Sequence, residues 1–222
     1  MSYLPMLEEL DQDGAIQEAA EHVDGDTRAA FLRKAGVGTG ALLGGGAVLG
    51  AFPAIAGAGV AKSDIAILNF ALTLEYLEAA FYVEAVAKGR FGGEIGRFAE
   101  VVRNHENAHV AFLKGALGRK AVKKPKFDFK GTTTNQSKFV ATAKALEDTG
   151  VSAYLGQVGN IKSKKILAAA GSILPIEARH AAWIRDIIGN GKDPRPAPRA
   201  FEGARTKRQI LAVVRSTGFI VG

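Results

Sequence analysis

Residues 104–109, NHENAH, contain two overlapping metal-binding patterns. Residues 105–109 have the form H-E-x-x-H, which places two zinc-binding histidines and a glutamate on one helix of zinc peptidases. Glu106 and His109 alone have the form E-x-x-H, which supplies half of the donors for a carboxylate-bridged pair of metal ions inside a helix bundle. Both patterns need a helix but use different residues, so the remainder of the chain decides between them.

Apolar residues recur with a helical period from residue 62 onwards and predict four long helices. We expect helices at about residues 64–88, 93–117 and 162–188, and a further helix that starts near residue 137. Pro175 should interrupt and kink the last of them, because proline has no backbone N–H to donate. A connection over about residues 118–136 separates two helix pairs. The pattern predicts an all-α fold, a four-helix bundle with a long crossover between the pairs.

The apolar face of each predicted helix contains a carboxylate near its middle, followed on two helices by a histidine three residues later. Burying carboxylates without partners is very costly, so two divalent cations are expected among them. The predicted metal ligands are Glu75, Glu106, His109, Glu147, Glu177 and His180. Tyr82 and Tyr154 each follow a glutamate by seven residues and are expected to hydrogen-bond the ligands from a second layer.

The spacing of these residues repeats within the chain. Glu75 and Glu147 are 72 residues apart, and Glu106 and Glu177 are 71 residues apart. Each helix pair therefore has a glutamate and a tyrosine on its first helix and E-x-x-H on its second. One E-x-x-H would be weak evidence, but two in phase with two glutamate-tyrosine helices strongly favour a two-metal site.

Four segments carry a family resemblance: ILNFALTLEYLEAAFY, NHENAHVAFL, ALEDTGVSAYLGQ and SILPIEARHAAWIRDI. They resemble the bacterial ferritin-like family that also includes plant desiccation-related proteins. The similarity covers about residues 64–188. It implies a ferritin-like bundle in which the six ligands named above occupy the di-iron positions of the wider superfamily.

The donor chemistry favours two iron ions, or manganese, with oxygen or peroxide as a further reactant, because mixed carboxylate and imidazole ligation suits these metals. A non-catalytic bundle that protects against stress or desiccation is an alternative. A zinc peptidase is a remote alternative, because the stretch HVAFLKGAL that begins at His109 offers no third histidine and His105 lies about 100° from Glu106 around the helix. We expect His105 at the helix surface or in a second layer, and Glu78 and Glu84 in solvent or between helices.

Residues 1–61 are predicted to lie outside the bundle, which is expected at residues 62–189. The first 26 residues hold eight acidic and no basic residues, and residues 35–61 form an uncharged, glycine-rich run. The segment from Thr27 to Arg33 resembles a degenerate twin-arginine export signal, with Ala29 in place of the second arginine. We therefore expect export from the cytoplasm or anchoring by the apolar run. Residues 190–222 should form a Pro-rich linker and a short helix with a capping box at Thr206 and Gln209.

Composition limits the partners. The chain contains no cysteine, which excludes disulfides and cysteine-ligated metals. From residue 62 onwards there are 26 basic and 14 acidic residues, so weak contact with anionic membrane or wall polymers is expected. No specific nucleic-acid motif is present, and the chain could also form a homo-oligomer.

Overall fold

The structure is a computed structural model that describes residues 61–189 and 196–221. The acidic leader, the export signal and most of the linker predicted at residues 190–200 lie outside the described residues. Within them the chain is helical, apart from loops and one isolated antiparallel bridge between Phe127 and Ile220.

Five α-helices follow one another along the described chain. They are α1 at Lys62–Glu84, α2 at Gly93–Leu117, α3 at Gln136–Val158, α4 at Lys164–Gly189 and α5 at Lys207–Thr217. A π-helical segment, Ala85–Gly89, extends α1, and a 3₁₀ turn, Gly118–Lys120, follows α2. These bounds confirm the four predicted long helices and the long connection between the second and third.

Local sequence signals set several helix ends. The Asn135 side chain caps α3 by accepting a hydrogen bond of 3.0 Å from the Lys138 backbone N–H. Gly118 ends α2 with a φ of 54°, a conformation that glycine adopts without a steric penalty. Buried Asp64, in the first turn of α1, accepts hydrogen bonds from the backbone N–H groups of Lys162 and Ser163. Asp64 therefore ties the start of α1 to the loop between α3 and α4.

The predicted interruption of the fourth helix at Pro175 is wrong. Helix α4 continues through Pro175. A proline removes only one N–H, which here would have bonded the carbonyl of Gly171, and the helix extends for two turns or more on either side. The flanking turns bury Ile173 and Glu177 in the bundle, and this packing holds the helix together.

Two apolar clusters fix the direction of each helix. The Phe81 cluster draws on every long helix and includes Phe81, Phe98, Phe139 and Ile184. The Leu72 cluster does the same with Leu72, Leu113, Tyr154 and Ile166. Helices α1 and α4 run from the Leu72 cluster to the Phe81 cluster, and α2 and α3 run in the opposite sense. Because α2 and α3 are parallel, the chain between them must travel the length of the bundle, as the predicted crossover requires.

The C-terminal segment packs against the bundle. Ile210, Val214 and Phe219 are buried in the Phe81 cluster. The backbone N–H of Arg205 donates a 3.0 Å hydrogen bond to the carbonyl of Ser152 on α3. Thr206 and Gln209 form the predicted capping box, in which each side chain accepts a hydrogen bond from the other residue's backbone N–H.

Helix α1 with its π-helical extension, Lys62–Gly89, is the one helix in the described ranges whose length and apolar composition would suffice to cross a membrane. About two thirds of its most apolar window, 67%, is buried inside the bundle. It also contains Glu75 and Glu78, both of which are buried. In the described chain this helix is therefore a central element of the bundle core.

Candidate metal centre

A layer of ionisable side chains crosses the bundle. On each long helix the layer lies between the residue named above for the Leu72 cluster and the residue named above for the Phe81 cluster. All six predicted ligands belong to it: Glu75 on α1, Glu106 and His109 on α2, Glu147 on α3, and Glu177 and His180 on α4. The four carboxylates have no exposed surface, and the side chains of His109 and His180 are 11% and 3% exposed.

The six residues form two overlapping groups of metal donors. The Glu75 group contains Glu75, Glu106, His109 and Glu177, and the Glu147 group contains Glu106, Glu147, Glu177 and His180. In each group, one ligand atom from each residue lies within 4.8 Å of the others. Glu106 and Glu177 belong to both groups, so their two oxygens are placed to bridge a pair of ions. This is the arrangement that the two E-x-x-H motifs predict.

The histidines direct the same ring atom, Nδ1, towards the carboxylates. His109 Nδ1 lies 3.2 Å from Glu75 Oε2, 3.3 Å from Glu106 Oε2 and 3.2 Å from Glu177 Oε1. His180 Nδ1 lies 3.1 Å from Glu147 Oε2 and 3.2 Å from Glu106 Oε1. One N–H cannot donate to three oxygens at once, whereas a cation among these four atoms could bind all of them. The geometry therefore fits a metal ion better than a simple ion pair.

Two tyrosines hold the outer carboxylates in a reciprocal arrangement. The hydroxyl of Tyr82 on α1 donates to Glu147 on α3. The hydroxyl of Tyr154 on α3 donates to Glu75 on α1, at 2.5 Å. Burial and the nearby carboxylates raise the pKa of both phenols well above its ordinary value, so both remain neutral donors. Each outer glutamate is thus oriented by a tyrosine from the opposite helix pair, as expected for a second layer.

Three buried oxygens of this layer have no hydrogen bond: Oε1 of Glu106 and both oxygens of Glu177. Two of them lie 3.2 Å from a histidine Nδ1 but lack the alignment of a hydrogen bond. A buried carboxylate oxygen without a partner is strongly unfavourable. All three belong to the two glutamates shared by both donor groups. Bridging ligation of two cations would satisfy them, so the donor set fits a two-metal centre.

The electrostatics also indicate that positive charge is lacking. Burial raises the pKa of Glu75 and Glu147, because a charged carboxylate loses its hydration. Burial and the charge of Glu106 raise the pKa of Glu177 to about 7. Glu106 differs: burial raises its pKa, but a hydrogen bond and the charge of His109, together with the close approach of His180, outweigh that effect and lower it.

Both histidines bind protons strongly in this environment. Burial alone would lower the pKa of His109, but Glu75 and Glu106 raise it far above its ordinary value. Burial opposes protonation of His180 in the same way, and Glu147 and Glu106 raise its pKa to about 11. Without metal, protons on the imidazoles therefore take the place of cations between the carboxylates.

Of the two expected environments for Glu78, solvent or a position between helices, the structure excludes solvent. Glu78 is 3% exposed and lies in the carboxylate layer one turn after Glu75. Burial, followed by the charges of Glu177 and Glu147, raises its pKa well above the ordinary value. Its spacing of three from Glu75 could have revealed it, since residues three apart share a helix face. Glu84 bridges α1 to the crossover by accepting a hydrogen bond of 2.6 Å from Thr133.

His105 lies outside both donor groups. Its ring is exposed and stacks on His180, and its Nδ1 lies 2.8 Å from Nε2 of His180. His105 is thus a surface residue that also contacts a predicted ligand, as expected. The H-E-x-x-H reading requires His105 and His109 to bind one ion, and the structure directs them to different partners.

Comparison with known proteins agrees with this architecture. The ferritin-like domain family matches residues 63–190, which cover all four long helices apart from Lys62 and include every residue of both donor groups. No curated protein matches the sequence. The match covers more than half of the chain, and the all-α bundle of the described residues agrees with it. The protein belongs to the ferritin-like domain family.

Proposed function

We propose that this protein binds two divalent metal ions, iron in the first place, and oxidises Fe(II) with oxygen or peroxide. The observation that carries the proposal is the pair of buried donor groups sharing Glu106 and Glu177. Shared carboxylates hold two cations close together, and they also satisfy the oxygens that lack hydrogen bonds. A single-metal site would leave one of the two histidines without a role.

The donor types favour iron or manganese. Each group offers three carboxylates and one imidazole, and the chain has no cysteine to draw the preference towards softer metals. Iron and manganese prefer more ligands than four residues supply through single atoms. Coordination positions are therefore left where oxygen or peroxide could bind. Two ferrous ions held side by side would supply two electrons to one such oxidant.

The residues of the chain prepare this reaction in three ways. Tyr82 and Tyr154 fix the orientation of the outer glutamates through their hydroxyl groups. The two apolar clusters keep bulk water from both ends of the layer, which strengthens electrostatic interactions inside it. The contact between His180 Nε2 and the exposed ring of His105 links a ligand to the surface.

Stopped-flow absorbance tests the proposal. Apo protein mixed with Fe(II) and oxygen or peroxide should oxidise iron faster than buffer does. The double variant Glu106→Ala/Glu177→Ala removes both shared carboxylates and should abolish the acceleration. Glu100→Ala is the matched control, because it removes an exposed carboxylate from α2, the helix that carries Glu106. This variant should retain the full rate.

A wild-type trace equal to that of the double variant would contradict the oxidation chemistry. If the wild type still held two ions, a metal-binding scaffold would remain, and a protective role against stress or desiccation would become the better proposal. If metal analysis found no ion in the wild type, the two-metal centre itself would be refuted.

We also propose that the protein acts outside the cytoplasm. The support is the export-like segment from Thr27 to Arg33 and the uncharged run of residues 35–61. Cell fractionation with an antibody to the C-terminal segment should find the protein outside the cytoplasm or in the membrane fraction. A full-length product confined to the soluble cytoplasm would contradict this. Self-association and weak binding to anionic polymers remain predictions from composition.

A further inference from the structure

Glu78 is a buried carboxylate that the two donor groups do not use. It lies on α1, 3% exposed, one turn beyond Glu75 and one turn before Tyr82. Glu75 and Glu147 each receive hydrogen bonds from a tyrosine and a histidine. Among the described residues, no tyrosine or histidine donates to Glu78. Its burial is therefore not explained by the contacts that hold the other carboxylates.

The charged groups that act most strongly on Glu78 are all carboxylates. In decreasing order they are Glu177, Glu147, Glu106 and Glu75. Glu177 and Glu106 belong to both groups, and of the two residues that distinguish the groups, Glu147 acts on Glu78 more strongly than Glu75 does. Glu78 therefore faces the Glu147 group more closely than the Glu75 group, although it lies on the same helix as Glu75.

Gly150 on α3 lies close to both Glu78 and Glu177. A Cβ at Gly150 would lie 2.6 Å from Glu177 Oε2 and 3.3 Å from Glu78 Oε1. At the first distance, a side chain at position 150 would displace the Glu177 carboxylate. The missing side chain thus leaves room for Glu78 and Glu177 to approach the same point from α1 and α4.

The internal repeat shows that this feature is asymmetric. Glu78 and Gly150 are 72 residues apart, as are Glu75 and Glu147, so they are equivalent positions in the two helix pairs. One pair has a carboxylate there and the other has a glycine. His105, which contacts His180, is equivalent to Ile176 by the 71-residue spacing. Both departures from the repeat therefore lie beside the Glu147 group.

Glu177 provides an independent sign that a ligand belongs at this point. Both of its carboxylate oxygens are fully buried and lack a hydrogen bond, and Oε2 is the atom beside Gly150 and Glu78. We propose that Glu78 is a fifth carboxylate of the centre and ligates the ion of the Glu147 group, in the space left by Gly150. This inference rests on the proposed binding of two metal ions.

A fifth carboxylate makes the two ion positions unequal. The Glu147 group then offers four carboxylates and an imidazole, and the Glu75 group offers three carboxylates and an imidazole. Added negative charge and an added oxygen ligand increase affinity for a hard divalent cation. The ion in the Glu147 group is therefore the more tightly held of the two.

Titration of full-length apo protein with Co(II), in the absence of oxidant, tests whether Glu78 is a ligand. Calorimetry measures the affinity of each ion, and visible absorbance reports its coordination. Glu78→Gln keeps nearly the same shape and removes the charge. It should weaken one of the two Co(II) ions by about 10–100-fold, the range seen when a partner of a metal site is lost, and leave the other unchanged. Glu84→Gln, on the same helix but bonded to the crossover, is the matched control and should bind both ions normally.

Repeating the substitution in the His180→Ala variant identifies which of the two ions Glu78 ligates. His180→Ala should leave only the Glu75 group occupied, and adding Glu78→Gln there should not weaken that remaining ion. Normal binding of the unaffected ion also shows that Glu78→Gln still folds. Two ions bound by Glu78→Gln with wild-type affinity would overturn the role of Glu78 alone. A wild-type protein that binds no Co(II), Mn(II) or Fe(II) would overturn the proposed function as well.

Discussion

Metal binding should depend steeply on pH, because the apo site holds protons where the ions bind. The pKa of His180 is raised to about 11, and the nearby carboxylates also raise that of His109 far above its ordinary value, so both rings are protonated throughout pH 6–8. Ligation needs an unprotonated ring nitrogen, so loading both ions releases one proton from each histidine. Glu177, with a pKa of about 7, adds a third proton at pH 6 but little at pH 8.

The size of the effect follows from this proton count. Each released proton changes the binding constant tenfold per pH unit, so two histidines over two units give about 10⁴. Glu177 contributes about a further tenfold across its own titration. Lowering the pH from 8 to 6 should therefore weaken the combined binding of two Co(II) ions by at least about 10⁵-fold. The raised pKa values of Glu75, Glu78 and Glu147 act in the same direction.

Isothermal titration calorimetry measures the proton release directly. The same titration in two buffers with different heats of ionisation gives the number of protons per chain, expected to be at least three at pH 6 and at least two at pH 8. Fewer than two protons at both pH values, with an affinity that does not change, would refute the assignment of His109 and His180 as protonated apo ligands.

Three further substitutions test other parts of the structure. Tyr154→Phe leaves Glu75 without its hydroxyl donor and should weaken one metal ion by about 10–100-fold in a Co(II) titration; unchanged affinity would show that the hydroxyl does not position the ligand. His105→Ala should retain two ions per chain by elemental analysis, since this ring lies outside both donor groups; loss of an ion would contradict that placement. Gly156→Ala would put a Cβ 2.0 Å from the carbonyl oxygen of Arg205. This variant should lower the free energy of unfolding by about 1–3 kcal/mol in a denaturant titration. Unchanged stability would mean that the C-terminal segment moves aside without cost.

Helical periodicity predicts most of the fold because the long helices bury one continuous apolar face each. The bounds of α2, Gly93–Leu117, agree with the prediction, and both ends are marked by glycine in the sequence. Pro175 shows where a local rule fails. The rule concerns one missing hydrogen bond, but burial of the turns around Pro175 depends on the other three helices, which no local pattern describes.

The candidate donors can be predicted from sequence because each is a charged or ionisable residue at an otherwise apolar core position. Glu78 was missed for the opposite reason: a glutamate on a helix is usually solvated, and its burial depends on Gly150 of another helix. The contact between His105 and His180 joins residues 75 positions apart and depends on how α2 and α4 pack. Spacing along one helix predicts which residues share its face, but the contacts between helices require the fold.

The 71- and 72-residue repeat has a consequence for how the centre can change over evolutionary time. Two identical helical hairpins paired as a symmetric dimer would provide the same four carboxylates and two histidines. In such a dimer, every mutation would appear twice and alter both ion environments together. Joining the hairpins through the crossover removes that constraint, because each half then has its own codons. A glutamate at position 78 can coexist with a glycine at position 150, so one ion can be held tightly while the other is exchanged.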